Sequence, residues 1–225
     1  MPRSKRIIPE CAALHVISRG NNRNTVFRHD NDKLRYYALL QKLKGENKID
    51  IFHYCLMNNH VHIILNLNPD STLSKFMKQL NLTYFHYYRK KYGYVGHFWQ
   101  DRFKSNIIDQ DSYLLQCGKY IELNPVRARL VKHPQEYLFS SYNYYANGKQ
   151  DELIVPNPAY LGLSDSTPTR QKQYINFIID DKAINSIVLR KKLYIGSQLF
   201  ITKSQEYYNA KNKREHRGRP FKTNK

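Results

Sequence analysis

Two histidines separated by one residue, His60 and His62, are the side chains of this sequence whose type and spacing most directly suggest chemistry. They begin a stretch in which Val61, Ile63, Leu65 and Leu67 alternate with His60, His62, Ile64 and Asn66. Such alternation marks a strand with one buried face, and residues two apart on a strand leave the same face about 7 Å apart at their roots. Two imidazoles so placed can converge on one cation. They can equally be a structural pair, and so short a motif does not separate the two readings. Tyr120 and Asn124 form a second constellation: at i and i+4 they share a helix face, with Gln116 one turn earlier. If that helix crosses the histidine face of the strand, a phenol and an amide oxygen come up to the imidazoles. An ion there would take two nitrogens and one oxygen from protein and keep positions open for phosphate oxygens. A phenol holds its proton until about pH 10, whereas a divalent cation beside it favours the phenolate and polarises a phosphate. Taken alone, Tyr120 is better explained as an ordinary amphipathic core residue. Asn124 precedes Pro125, which biases it away from helix, so it can lie just past the last turn.

These groups need a frame. Residues 14–18 read as a strand running into the loop Arg19-Gly20-Asn21-Asn22, and 31–44 as a helix from the spacing of Leu34, Tyr37, Ala38, Leu40 and Leu43. Residues 49–57 are a second strand, Asn58-Asn59 a hairpin turn of left-handed backbone, and 60–67 a third strand. Ser71 or Thr72 caps a helix whose stripe is Leu73, Phe76, Met77, Leu80, Tyr84 and Tyr87. Residues 96–104 lead into Ile107-Ile108 as a further strand, and Asp109 or Asp111 caps a helix that Asn124-Pro125 stops. This order predicts an α+β fold: a ferredoxin-like split βαβ antiparallel sheet with two helices on one face, followed by the helix that bears Tyr120. The texture changes beyond 150. A catalytic domain over 1–150 (core 14–132), a linker over 151–169, a small helical region over 170–210 and a basic, disordered tail over 211–225 are expected.

Composition narrows the partners. Lys and Arg number 37 against 18 Asp and Glu, a net charge of +19 that favours a polyanion. No apolar run approaches the roughly 20 residues of a membrane span, and the basic start Met1-Pro2-Arg3-Ser4-Lys5-Arg6 lacks the apolar core of a signal peptide. Nucleic acid is therefore preferred to a membrane, in a cytoplasmic, nucleoid-associated protein. Cys11, Cys55 and Cys117 form neither a CxxC pair nor a disulfide framework and read as reduced core residues. The 19 tyrosines, interleaved with cations, suit stacking on single-stranded nucleic acid, although most must pack.

The set His60-Val61-His62, Tyr120 with Glu122-Leu123-Asn124-Pro125-Val126-Arg127-Ala128, and His15-Val16-Ile17-Ser18-Arg19-Gly20-Asn21-Asn22-Arg23 resembles the REP-associated tyrosine transposases. These are single-tyrosine members of the HUH (His-hydrophobic-His) nuclease superfamily, and the resemblance runs over about 14–132. It implies a ferredoxin-like domain that binds Mg²⁺ or Mn²⁺ and single-stranded or hairpin DNA, with His60, His62 and Asn124 as ligands and Tyr120 as nucleophile. Insertion-sequence relatives often carry Gln where Asn124 stands. The implied reaction joins Tyr120 to a 5′ phosphate, releases a 3′-OH and needs no ATP. One tyrosine per chain allows either a monomer or a homodimer. The ligand chemistry agrees: amide and phosphate oxygens suit Mg²⁺ or Mn²⁺, imidazole tilts the choice toward Mn²⁺, and structural zinc would want four protein ligands.

Candidate DNA contacts are Arg19, Asn21, Asn22 and Arg23 in the first loop; Arg89, Lys90 and Lys91 ending the long helix; Trp99, Arg102 and Lys104; Arg127; and Arg217 and Arg219 in an AT-hook-like Arg-Gly-Arg-Pro. Their bland readings are a solvated loop, half-buried sheet packing and a generic basic tether. His15 and His53 are candidates for groups behind the histidine pair or for ordinary structural histidines. Two other functions compete: a domesticated hairpin-binding protein without catalysis, and an RNA-binding ferredoxin-like protein. The latter would carry aromatics, not histidines, on the open face of its central strand.

Overall fold

Alternation decides the sheet. A computed structural model describes residues 13–109, 112–180 and 193–215. Ala13–Arg19 (β1) leads through a turn of 3-10 helix at Asn21–Arg23 to a helix at Asp30–Glu46 (α1). Strands Ile49–Met57 (β2) and His60–Leu67 (β3) follow, then Leu73–Tyr92 (α2) and Lys104–Ile108 (β4). The strands lie in the order β2-β3-β1-β4, and all three contacts are antiparallel, which is the expected split βαβ. Leu14, Val16, Tyr54, Leu56, Val61, Ile63 and Leu65 fill one face, and α1 and α2 cover it with Tyr36, Leu40, Phe76, Leu80 and Tyr84. Tyr84 is buried but not idle, since its hydroxyl donates to the Val26 carbonyl at 2.8 Å. Thr72 stands at the start of α2 without a side-chain cap, and Gly93 at φ +62° ends it in the left-handed conformation that glycine takes without strain.

The opposite face carries its own smaller core, in which Ala13, Phe52, Cys55, Ile64 and Ile108 meet Leu114, Cys117 and Ile121. The last three belong to Ser112–Glu122 (α3), so the helix after β4 does lie on the histidine face. Beyond it come Asn124–Arg127 (α4), Tyr142–Asn147 (α5), Pro158–Leu161 (α6), Thr167–Ile179 (α7), Tyr194–Ile195 (β5) and Gln198–Glu215 (α8).

Several expectations need correction. A fifth strand, β5, adds in parallel to β4, where two residues suffice because Ile107 and Asp109 donate to Leu193 and Ile195 carbonyls. Strand β4 begins only at Lys104, so 96–103 is loop. Asp109 does not cap α3; its carboxylate accepts from the backbone N–H and hydroxyl of Ser197. Asp111 lies outside the described residues. The non-glycine residues with positive φ among those described are Asn22, Arg23, Lys48, Asp70 and Arg129, so Asn58 and Asn59 turn without left-handed backbone. Their carbonyls are held from outside by Gly20, Val26 and Phe27. The expected linker is packed: Leu153, Ile154, Asn157 and Tyr160 are buried, and Asp151 accepts from Tyr37 and Tyr54. Helix α8 runs past Lys211 to Glu215, into the stretch expected as a disordered tail. Among the described residues, no helix is long and apolar enough to cross a membrane.

Candidate active site

Strand register puts the chemistry in rows. Antiparallel partners point to one face, so Met57, His60 and Arg19 form one row, and Cys55, His62, Ile17 and Lys104 the next. His53, Ile64, His15 and Asn106 form the third. Four histidines and two exposed cations, Arg19 and Lys104, thus share the face on which α3 lies.

Side chains rooted about 7 Å apart converge here, for the His60 and His62 ring centroids are 4.8 Å apart. Asn59 turns His60: its Oδ1 can only accept, so the 2.5 Å contact with His60 Nδ1 places the proton on that nitrogen and the lone pair on Nε2. Asn59 Nδ2 meanwhile donates to the Arg23 carbonyl, which supports that orientation of the amide. His62 Nδ1 lies 2.8 Å from His15 Nε2, and the two rings stack at 5.1 Å between centroids. Burial pushes the His15 imidazole down to about 3, so it stays neutral at ordinary pH, and its Nδ1 is buried without a hydrogen-bond partner among the described residues.

Tyr120 stands edge-on to both rings, 6.2 Å from His62 and 6.5 Å from His15. The Arg127 guanidinium lies 4.9 Å over the phenol ring and donates to the Tyr120 carbonyl at 3.1 Å. The expected helix through Asn124 is broken. Helix α3 ends at Glu122, Leu123 has φ −86° and ψ −2°, and Asn124 opens α4 with Pro125 in its first turn. The Asn124 amide nitrogen donates to the Ile121 carbonyl at 3.2 Å. His60, Tyr120 and Asn124 are half-buried, whereas His62 is buried.

A second polar centre lies on the other flank of α3, and nothing in the sequence links its members. Glu122 is fully buried and accepts from His53 Nδ1 at 2.9 Å, from Ser141 at 2.5 Å and from Tyr174 at 2.7 Å. His53 Nε2 meets Asn157 Nδ2 at 2.9 Å, and its ring stacks on Tyr145. A Cβ at Gly118 would come within 2.6 Å of the His53 ring, so glycine is what lets α3 approach β2. The one available signal was a charged residue, Glu122, between the apolar Ile121 and Leu123.

The DNA candidates divide. Gly20 bridges to Trp99, Asn21 N–H donates to the Phe98 carbonyl and Gln100 N–H to that of Arg19, so the first loop and 98–100 meet beside His60. Arg19, Asn22, Arg23, Arg102, Lys104 and Arg127 are exposed and Asn21 is half-buried. Trp99 is half-buried, packs on Phe98 and Tyr84, and gives its indole N–H to the Asn81 carbonyl at 3.1 Å. Arg89 and Lys90 are exposed at the end of α2, but Lys91 is tied to Asp32 at 2.7 Å. Arg217, Arg219 and Cys11 lie outside the described residues. Burial raises the thiols of Cys55 and of Cys117, the latter to about 12, as befits packing residues. A cavity of about 460 Å³ opens behind Arg127, lined by Leu123, Val126, Tyr142, Ile175 and Ile178, and excludes the histidine pair.

A REP-associated tyrosine transposase bound to a REP hairpin shares the fold, with a TM-score of 0.56 at 20% identity over 69% of this chain and 92% of that one. A proposed transposase from Deinococcus radiodurans aligns at 16% identity over 61% and 95% of the two chains, with a TM-score of 0.37. That is too slight a likeness to bear on the site. No curated protein matches the sequence. The family model "Transposase IS200 like" matches residues 10–124, just over half of the sequence and the stretch that holds β1 to β4, both histidines and Tyr120. On that match the chain belongs to the IS200-like transposase family.

Proposed function

We propose that this transposase cuts and rejoins single strands of hairpin-bearing DNA through a covalent bond to Tyr120, with His60, His62 and Asn124 holding Mg²⁺ or Mn²⁺. The observation that carries the reading is the convergence of the His60, His62 and Tyr120 rings on one face of the sheet, next to Arg19, Lys104 and Arg127. The fold shared with a REP-associated transposase bound to a hairpin supports hairpin DNA as the substrate class.

The residues fit a divalent ion. His60 presents the lone pair of Nε2, and a proton on His62 Nδ1, donated to His15, would leave His62 Nε2 as a lone pair too. Among the described residues no three His, Cys, Asp or Glu side chains cluster closely enough to hold a metal, so an amide oxygen and DNA must complete the shell. When bound, the ion would supply positive charge at the phosphate oxygens and favour the phenolate. The chain does the rest. Tyr120 loses its proton, its oxygen bonds to phosphorus, the bond to the 3′ oxygen breaks, and that oxygen leaves as a 3′-OH. The phosphodiester energy is kept in the phosphotyrosine, so no ATP is required. Arg127 holds the phenol ring by cation–π contact and backbone hydrogen bond, while Arg19, Asn21, Asn22, Arg23 and Lys104 take the DNA backbone.

The test is a denaturing gel. The full chain, Mn²⁺ and a hairpin oligonucleotide with a single-stranded flank are expected to give a covalent adduct that Tyr120→Phe abolishes and His62→Ala severely reduces. An adduct of undiminished yield in Tyr120→Phe sinks the mechanism. Hairpin binding without any adduct from the unaltered chain would favour the non-catalytic alternative.

A further inference from the structure

Helix α3 is held on three sides, and the fourth bears Tyr120. Successive helix residues turn by about 100°, so Leu114, Cys117 and Ile121 point to the sheet while Gly118 and Glu122 lie on the flank toward His53. Lys119 points away from the sheet, yet it is only 1% exposed, because α7 covers it. Its ammonium donates to the carbonyls of Phe177, at 2.5 Å, and of Asp180, and lies 4.9 Å over the Phe177 ring. These are the last carbonyls of a helix, where a cation is favoured. One turn along, Tyr174 of the same α7 donates to Glu122. Ser141 and Asn157 complete the grip through Glu122 and His53. All five of these partners, Ser141, Asn157, Tyr174, Phe177 and Asp180, lie beyond residue 124, where the family match ends.

We propose that the C-terminal segment is a brace for the nucleophile: Tyr174 on Glu122 and the end of α7 on Lys119 fix the rotation of α3 so that Tyr120 faces the histidine pair. The inference rests on Tyr120 being the nucleophile. Residues i−1 and i+2 of Tyr120 are the ones held, and they lie about 100° and 160° around the helix from it, so the grip leaves the phenol side open. A helix with its side chains has a radius of about 5–6 Å, so a rotation of roughly 10° carries the phenol tip about 1 Å. A misplacement of about 1 Å can cost on the order of 100-fold in rate. Lys119 and Tyr174 touch no reacting atom; they are positioning residues.

Single-turnover adduct formation by the full chain, with Mn²⁺ and the hairpin oligonucleotide, yields a rate constant and a final amplitude separately. Tyr174→Phe and Lys119→Met are expected to slow the rate constant about 10- to 100-fold, with near-normal amplitude and hairpin affinity. A purely structural role would lower the amplitude and leave the rate constant of the folded fraction unchanged, and that result overturns the brace. Tyr174→Phe removes only a hydroxyl, so it carries the test if Lys119→Met does not fold. Amide exchange decides independently of catalysis: exchange across α3 should quicken in both variants while β1 and β3 stay protected. Unchanged exchange in α3 also overturns the brace. An adduct that survives Tyr120→Phe would instead sink the catalytic reading and leave the exchange result to judge the brace by itself.

Discussion

The two flanks of α3 carry the same kinds of polar group and use them in opposite ways. On one flank Glu122 and His53 are fully buried, both carboxylate oxygens and both ring nitrogens are hydrogen-bonded, and Ser141, Asn157 and Tyr174 close the ring. On the other, His60, Tyr120 and Asn124 stay half-buried, and His62 leans on His15, whose Nδ1 has no partner among the described residues. A polar group answered wholly within the protein stabilises the fold; one kept at the surface beside cations is positioned for substrate. Neither histidine nor tyrosine content distinguishes the flanks. Among the described residues, what distinguishes them is whether the C-terminal segment roofs them.

Removing Glu122 should break that contrast most severely. Glu122→Ala strands the donors on His53 and Tyr174 in a buried pocket, and a loss on the order of 3–5 kcal/mol in urea unfolding is expected. Tyr120→Phe, by contrast, is expected to abolish the proposed adduct and to leave unfolding almost unchanged, since Tyr120 is half-buried and the variant keeps the ring. Equal stability losses in the two variants would show that the flanks are not different in kind.

His15 sits between the two uses, and His15→Phe sharpens which it serves. Phenylalanine fills the buried slot and removes the orphaned Nδ1, so stability should change little. The partner of His62 Nδ1 is lost, and groups that orient ligands are typically worth about 10- to 100-fold in metal affinity. A Mn²⁺ titration of adduct formation should shift by that amount. An unmoved midpoint would return His15 to the packing residues.

The sheet was legible because its signal is local. The bounds of β2 follow from its β-rich residues and the Asn58-Asn59 turn and those of β3 from alternation, whose parity puts His60 and His62 together without knowledge of any partner. The break between α3 and α4 was foreshadowed by Pro125. The Glu122 centre was not legible, because its members stand at positions 53, 122, 141, 157 and 174 and no local pattern links them. Strand β5 escaped for the same reason: two residues carry no periodicity, and β4 is remote in sequence. The packing of 151–169 was masked by its prolines and serines, which look like a linker although Leu153, Ile154 and Tyr160 supply core.

The face away from α3 offers a control with a pH signature. Asp32 is buried, which by itself would raise its carboxyl; hydrogen bonds from Lys91, Tyr92, Tyr87 and the His29 backbone outweigh that and hold it at about 2. A depressed carboxyl stabilises the fold above its ordinary value of 3.8 and loses that contribution as pH falls through about 2. The contribution is about 2 kcal/mol. Asp32→Asn should therefore be less stable at pH 7, with the gap to the unaltered chain closing between about pH 4 and pH 2. Glu122→Ala and Asp32→Asn should both leave the exposed charge near Lys104 as it is.

The smallest effect separates cations by what they hold. Lys104 is exposed in the same cross-strand row as His62 and lies on the face of α3, whereas Lys91 is spent on Asp32 and Tyr87. Each cation that neutralises a phosphate of single-stranded DNA adds about 0.7 to the slope of log affinity against log salt. Lys104→Ala should lower that slope by about this amount and weaken binding at low salt without altering the unfolding midpoint. Lys91→Ala should do the reverse, leaving the slope unchanged and costing stability by taking a donor from a buried carboxylate. If Lys91→Ala lowers the slope as much as Lys104→Ala does, the DNA path extends to the end of α2. The division between cations that build the fold and cations that meet substrate would then fail at that end of the molecule.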